Sequence, residues 1–339
     1  MTLPPAACGL VEESFGRLEA WWAGGGAGLV WACPFILPPW LESWWGAFGG
    51  GARPWLRSVR EGDRLLGVLP FVVRGDRAGF LGGPDLCDYQ DVPAVPGREG
   101  DVLAAAGAEL ARQGVRVLEL DSVHERSGAL KGLTDPSFPW PVEIERVGVT
   151  VELELPPTWE DYLAALAKKE RHELRRKLRR LHGAGTAAFR RVARPGPGDV
   201  EAFLRLFRAS REDKAAFLEP RREGFFRTLI ARAAEAGLLR LFFLELEGQP
   251  AAAVLCFEHA GTVYLYNNGY DPEWGRLSVG LLSKVCSVRD AIERGLARYD
   301  FLRGAEPYKM RLGGRPRDLY RCRVHLRQPT AGTGKDRAL

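Results

Sequence analysis

The stretch "VREGDRLLGVLPFVVRGDRAGFLGGPD", Val59 to Asp85, returns as "ELEGQPAAAVLCFEHAGTVYLYNNGYD", Glu245 to Asp271, at a constant offset of 186 residues. Glu61/Glu247, Gly62/Gly248, Val68/Val254, Leu69/Leu255, Phe71/Phe257, Gly75/Gly261, Gly83/Gly269 and Asp85/Asp271 are identical, and Phe80/Tyr266 is a conservative pair. Identities held in one register point to the same local structure made twice. Each stretch reads as an apolar run, a Glu-Gly turn, a second apolar run, a turn ending at Gly75 or Gly261, and a third run. That is a three-stranded antiparallel meander.

The flanks repeat as well. Two amphipathic helices precede each meander, "LVEESFGRLEAWW" with "WLESWWGAF" and "DVEAFLRLFRAS" with "REGFFRTLIARAAEAG". After each meander comes a further helix closed by Gly114 or Gly295 as a C-terminal cap, then a strand, "VRVLELDSV" or "ARYDFLRG". Between the copies "VTVELELP" alternates as a strand and Pro156-Pro157 stops it. Thr158 and Asp161 then open a single long helix predicted to reach Leu181. The expected organisation is a first domain over 1–157, a basic linker helix over 158–183, a second domain over 184–328, and a disordered polar tail over 329–339.

At 339 residues the chain exceeds one ordinary hydrophobic core, in keeping with two domains. It has no apolar run long enough to span a bilayer, and "MTLPPAACGLVEESF" lacks the layout of a signal peptide, so the expected compartment is the cytoplasm. Cys8, Cys33, Cys87, Cys256, Cys286 and Cys322 lack metal-ligand or disulfide-framework spacing, and no metal is expected. Charge is uneven: residues 1–150 carry −6 and residues 151–339 carry +11, so an anionic ligand is expected at the second half.

The element order, with "YLYNNGYDPEWGRLSVGLL" and "AIERGLARYDFLRGAEPYKMRLGG", resembles the GNAT-fold acyltransferases of the CelD/BcsL type, relatives of the FemABX peptidyltransferases. "PFILPPWLESWWGAFGG", "LLGVLPFVV" and "LGGPDLCDYQD" are similar to that family's first half, so the resemblance runs from Cys33 to Leu326. It implies an α/β (α+β) chain of two tandem GNAT-like domains, each a mixed, mainly antiparallel sheet flanked by helices, joined by a long basic helix. The second domain would keep the acyl-transfer machinery, with acetyl-CoA or another acyl-CoA as donor. The GNAT phosphate-loop pattern is present only in part, since Arg276 is followed by Leu-Ser-Val279-Gly280-Leu281.

Residues Gly275 to Gly280 lead into an apolar helix whose N-terminus offers unpaired N–H groups to a pyrophosphate. Arg276 adds a mobile cation beside Ser278, Val279 and Gly280; the plain alternative is that Ser278 caps the helix and Gly280 allows close packing. Acyl transfer to an amine needs a base, oxyanion donors and an acid for the leaving group. Asp300 or Glu306 is the expected base or amine-orienting group, and Tyr308 or Tyr270 the acid. Arg303 and Lys309 are the expected holders of a carboxylate or phosphate, unless Asp300 and Arg303 form an internal ion pair. Asn267, with Asn268, either lines the thioester site or forms a turn. The resemblance sets Asp88 and Asp91, with Asp85 and Tyr89, near an acceptor cleft between the domains, where they attract a cationic amine or sit on a solvated loop.

The linker segment "KKERHELRRKLRRLHG", Lys168 to Gly183, carries eight Lys or Arg against two Glu. Leu174, Leu178 and Leu181 make an apolar stripe, and most of the basic side chains fall outside it. Lys168 to Arg180 is therefore a candidate surface for a coenzyme A phosphate, tRNA or anionic lipid head groups, although it has none of the aromatic residues that interleave single-strand RNA platforms. The expected activity is an N-acyltransferase acting on a small amine acceptor, an amino sugar or amino acid derivative, by direct attack in a ternary complex. The alternatives are an aminoacyl-tRNA-dependent FemABX-like peptidyltransferase and a non-catalytic anion- or nucleic-acid-binding module.

Overall fold

The computed structural model describes residues 8–50, 53–83 and 85–326. The tail expected over 329–339 lies outside the described residues. The first copy runs β1 (Gly9–Glu12), α1 (Phe15–Ala23), α2 (Pro38–Phe48), β2 (Pro54–Glu61), β3 (Arg64–Arg74), β4 (Arg77–Phe80), α3 (Glu99–Arg112) and β5 (Val117–His124). Then come α4 (Gly128–Leu133), β6 (Val142–Glu154), α5 (Trp159–Ala165) and α6 (Lys168–His182). The second copy runs β7 (Ala187–Val192), α7 (Pro197–Ala209), α8 (Glu212–Phe217), α9 (Pro220–Glu235), β8 (Leu239–Leu246), β9 (Gln249–His259), β10 (Thr262–Tyr270), α10 (Val279–Glu293), β11 (Arg298–Arg303), α11 (Pro307–Arg311) and β12 (Arg315–His325).

The predicted meanders are β2-β3-β4 and β8-β9-β10, antiparallel throughout. Their turns need left-handed backbone, which Glu247-Gly248 (φ 48° and 75°) and Ala260-Gly261 (φ 47° and 72°) supply as consecutive pairs matching the strand twist. Gly114 and Gly295 follow α3 and α10 at φ 84° and 71°, the C-terminal caps expected of them.

Two sheets were expected, one per copy; there is one sheet of twelve strands, in the order β1-β2-β3-β4-β5-β12-β6-β11-β10-β9-β8-β7. The reason is an exchange of last strands. β6 follows the first copy in sequence but pairs with β11, whereas β12 follows the second copy but pairs with β5. The two then pair with each other, antiparallel, from Arg315 opposite Glu152 to Val324 opposite Val142. Every pairing is antiparallel except β4 with β5 and β10 with β11. The expected long helix is also two: Leu166 (φ −69°, ψ 146°) and Ala167 (φ −52°, ψ 142°) are non-helical and set α6 apart from α5. Thr158 caps α5 as predicted, its side chain accepting the N–H of Asp161.

Three apolar clusters hold the sheet. One lies under α3 in the first half and another under α5, α6 and α10 in the second. The third joins the halves, where α2 packs on α9. At its centre the Trp40 ring meets Phe225, Phe257 and Tyr266 edge-on at 5.0–5.7 Å between centroids. Burial of that aromatic group, together with the exchanged strands, fixes one half against the other.

Candidate active site

The parallel strands β10 and β11 are paired only from Thr262–Tyr264 to Arg298–Asp300. Past Tyr264, β10 bulges at Tyr266, where its register with β9 slips between Leu265 and Asn267, and leaves β11 behind. β11 carries its own irregularity after Asp300, with Leu302 at φ 60°. The strands splay, and from Leu265 onward the edge of β10 facing β11 has no strand partner among the described residues. A splayed edge offers main-chain N–H groups to an incoming carbonyl.

At the end of β10 the chain makes two turns of tight helix, Pro272–Leu277, and enters α10 through Ser278, left-handed at φ 59°. Ser278 makes no side-chain capping bond. Its carbonyl accepts Leu281 and Leu282, so among the described residues the N–H groups of Val279 and Gly280 have no acceptor. The first turn of α10 contains no acid, Arg276 is exposed beside it, and Arg180 of α6 reaches Ser278 Oγ at 3.5 Å. Open N–H groups, the helix dipole and two guanidinium groups make a candidate anion site. Gly280 is needed here for contact: a Cβ at that position would lie 2.8 Å from the Tyr270 ring. Tyr270, an expected acid, is thereby packed against the first turn of α10.

The matching place in the first copy is closed. There α3 begins with Glu99 and Asp101, which repel an anion from its N-terminus. The gap between β4 and β5 is crossed by the chain after β4: Gln90 bridges in parallel to Val123, its N–H bonded to Ser122 O and its amide to Leu81 O. The same plug carries Asp88 to the end of β11, where Asp88 Oδ1 accepts the Arg303 N–H at 3.1 Å. Burial, with the nearby Asp300 carboxylate adding to it, pushes the Asp88 carboxyl up to about 6. A cleft of about 310 Å³ opens beside it, lined by Asp88, Leu86, Phe207, Lys214, Phe217 and Tyr266, with Asn267 of β10 at its wall.

The other expected site residues divide. Asp300 is 1% exposed, and its oxygens take three donors: Tyr89 OH (2.6 Å), Thr150 Oγ1 (2.7 Å) and Leu302 N–H (2.7 Å). It ties β11 to β6 and to the first half, and no ion pair with Arg303 forms. Arg303 instead donates to Ser122 Oγ at 3.1 Å. Lys309 is buried with its ammonium on the carbonyls of Leu302, Arg303 and Gly304 and on Glu306. It therefore clamps the loop after β11. Burial alone would raise the Glu306 carboxyl, but the hydrogen bond and charge of Lys309 outweigh it and hold it below its ordinary range. Tyr308, half-buried, has its hydroxyl pushed well above its ordinary value by burial. Asp91 is apart from the cleft, accepting the N–H groups of Val92, Gly128 and Ala129 at the start of α4.

Sequence reading missed two lysines. Lys284 of α10, 7% exposed, gives Nζ to Gly280 O at 2.7 Å and lies 5.2 Å from the centre of the Tyr308 ring. Desolvation, with Lys214 and Lys309 nearby, pulls it down to about 7. Lys214 of α8 bonds Asn268 O and sits 4.8 Å over Phe207, and burial lowers it to about 8. A lysine on the apolar face of "VGLLSKVCSVRDAI" was a legible signal for the first; nothing in sequence marked the second.

On α6, Arg176 and Lys177 pair with Glu173, and Arg171 bonds the carbonyls of Leu163 and Ala164 at the end of α5. Among the described residues Lys168, Lys169, Arg175, Arg179 and Arg180 have no carboxylate partner. The basic helix lies against the turn before α10, so its charge adds to the anion site there.

Comparison with known proteins agrees with this architecture. The family model "Acetyltransferase (GNAT) domain" matches residues 168–310. A comparison with curated proteins returned no match. Among solved structures, FemX is 11% identical, with 94% of this chain and 98% of that one covered at a TM-score of 0.63. L-PGS from Bacillus licheniformis is 12% identical, with 85% and 91% covered at 0.55. A tandem GNAT protein from the clavulanic acid biosynthesis pathway is 12% identical, with 94% and 98% covered at 0.51. At such identities the likeness is one of fold: a FemABX-related GNAT architecture, with a GNAT acetyltransferase domain in the second half.

Proposed function

We propose that this chain, which carries a GNAT domain on a FemABX-related fold, is an N-acyltransferase that moves an acyl group from acyl-coenzyme A to an amine. The observation that carries the reading is the open N-terminus of α10. It has unpaired N–H groups at Val279 and Gly280, no acid in its first turn, and Arg276 and Arg180 beside it, at the mouth of the β10–β11 splay. A donor whose pyrophosphate rests there extends its thioester along the free edge of β10, where main-chain N–H groups near Asn267 polarise the carbonyl.

Asp88 is the base. Its carboxyl, near pH 6, is ionised at neutral pH and faces the cleft, whereas Asp300 is saturated and Glu306 is paired to Lys309. The amine attacks the thioester carbon, an N–C bond forms, and the amine proton passes to Asp88. As the C–S bond breaks, the thiolate takes a proton from the Tyr308 hydroxyl. Lys284, beside Tyr308, offsets negative charge developing in the splay. The active site is thus shared: the base comes from the first copy, the donor site from the second.

A second reading has its own support. The likeness to FemX and the five unpaired cations of α6 favour an aminoacyl-tRNA donor. Thiol release from acyl-coenzyme A in the presence of amines tests the first reading; transfer that disappears on ribonuclease treatment would establish the second.

A further inference from the structure

The acceptor cleft is charged in an unusual pattern. Of its carboxylates, Asp85 pairs with Arg222 at 3.5 Å and Asp213 pairs through both oxygens with Arg211 at 2.8 and 2.7 Å. That leaves Asp88 on one wall and Lys214 on another, and among the described residues neither has an ion-pair partner. Asp88 accepts only a main-chain N–H and Lys214 donates only to a main-chain carbonyl. Between them the walls are apolar and aromatic: Leu86, Phe207, Phe217 and Tyr266. A partly desolvated anion and cation held on one small cleft without touching each other are each left short of stabilisation. A ligand with the reverse charges restores it to both.

Resting on the N-acyltransferase reading, we infer that the acceptor is a free α-amino acid with an apolar side chain, its ammonium on Asp88 and its carboxylate on Lys214. An amino sugar has no anion for Lys214, and a peptide N-terminus has its carboxylate far from the amine. The cleft, about 310 Å³, lies at the small end of ligand pockets, which suits a single amino acid. The carboxylate holds the amine in place; the ammonium gives up one proton to solvent to become the nucleophile, and Asp88 takes the second as the N–C bond forms. Both unpaired groups are thereby used once each. Burial, which lowers the Lys214 ammonium to about 8, makes it responsive to a bound anion.

The test is calorimetric titration of the full chain at pH 7.5 with L-leucine, L-leucine methyl ester, which lacks the carboxylate, and 4-methylpentanoate, which lacks the ammonium. The expected result is binding of leucine at least tenfold tighter than either analogue. Lys214→Met should erase the preference over the ester, and Asp88→Asn the preference over 4-methylpentanoate, with both variants folded by circular dichroism. Equal binding of leucine and its ester, or no binding of leucine, overturns the inference. A parallel thiol-release assay separates it from the reading on which it rests. Thioester turnover that proceeds equally with glucosamine or simple alkylamines sinks the amino-acid assignment and keeps the acyltransferase. Charge-dependent leucine binding without any thioester turnover keeps the zwitterion site and sinks the acyl-coenzyme A donor.

Discussion

Asp88 Oδ1 accepts the backbone N–H of Arg303 at 3.1 Å, a bond between the plug of the first copy and the last residue of β11 in the second. It joins residues 215 apart in sequence. Through it the half whose own gap is closed brings a carboxylate to the half that keeps a splay, and in the function proposed above that carboxylate is the base.

With Asp88 as base, kcat/KM should rise with pH along a limb with an apparent pKa near 6. Asp88→Asn should lower kcat by about 10²- to 10⁴-fold and abolish that limb. The stability effect has the opposite sign. A carboxyl raised from 3.8 to about 6 costs nothing below its unfolded value and its full amount above pH 6. Asp88→Asn should therefore stabilise the fold at pH 7.5, by about 1–3 kcal/mol, while leaving it unchanged at pH 3.5. Urea unfolding at the two pH values checks this.

Lys284 yields a second linkage. Its folded value of about 7 against an ordinary 10.5 means the folded chain binds fewer protons between those pH values. The cost is full below pH 7 and fades as pH rises through 10.5. Lys284→Met should stabilise the protein at pH 7 by about 2–4 kcal/mol and flatten the rise in stability toward pH 10. An anionic donor bound in the splay should draw a proton onto Lys284. Titrations at pH 8 in buffers of different ionisation enthalpy should then show proton uptake in the natural chain and none in Lys284→Met.

The exchange of β6 and β12 forbids independent halves. Residues 158–339 alone lack β6, the partner of both β11 and β12, and residues 1–157 lack β12. Expressed separately, each half should be aggregated or unfolded by circular dichroism, and co-expression should restore a soluble complex. A soluble, cooperatively folded 158–339 would contradict this coupling.

Gly269 should tolerate no side chain. α7 lies directly on β10 there, and a Cβ would stand 2.3 Å from Phe207 N, a main-chain atom that cannot yield without moving the helix. Gly269→Ala should lower stability by about 3 kcal/mol or more and widen the cleft wall formed by Phe207. Thermal unfolding measures the first effect.

The repeat at offset 186 made the meanders, their turn glycines and the helices around them legible, because local chemistry fixes them. The edge strands β1 and β7 are short or polar and escaped notice, as did β12, whose alternation of Arg with apolar residues is decided by its neighbours β5 and β6. Strand exchange is a tertiary choice without a local mark. The site followed the same division. Arg276, Ser278, Val279 and Gly280 could be singled out as candidates because a helix N-terminus is a local object, and Asn267 because it breaks an otherwise aromatic run, although Asn267 and Asn268 continue β10 rather than forming a turn. The standing of Asp300, Lys309 and Asp91 depends on what saturates their hydrogen bonds, and those partners are supplied from up to 211 residues away. The placing of Lys214 and Asp88 on separate walls of one cleft depends on both halves at once.

The most direct measurement is calorimetric titration of the full chain with acetyl-coenzyme A and longer acyl-coenzyme A thioesters, beside aminoacylated and uncharged tRNA. The account predicts saturable thioester binding that weakens about fivefold in Arg276→Ala, more in the double variant with Arg180→Ala, and further at high salt as an exposed cation site should. No thioester binding, with a clear preference for aminoacylated tRNA, would contradict it and assign the open end of α10 and the basic face of α6 to a different donor.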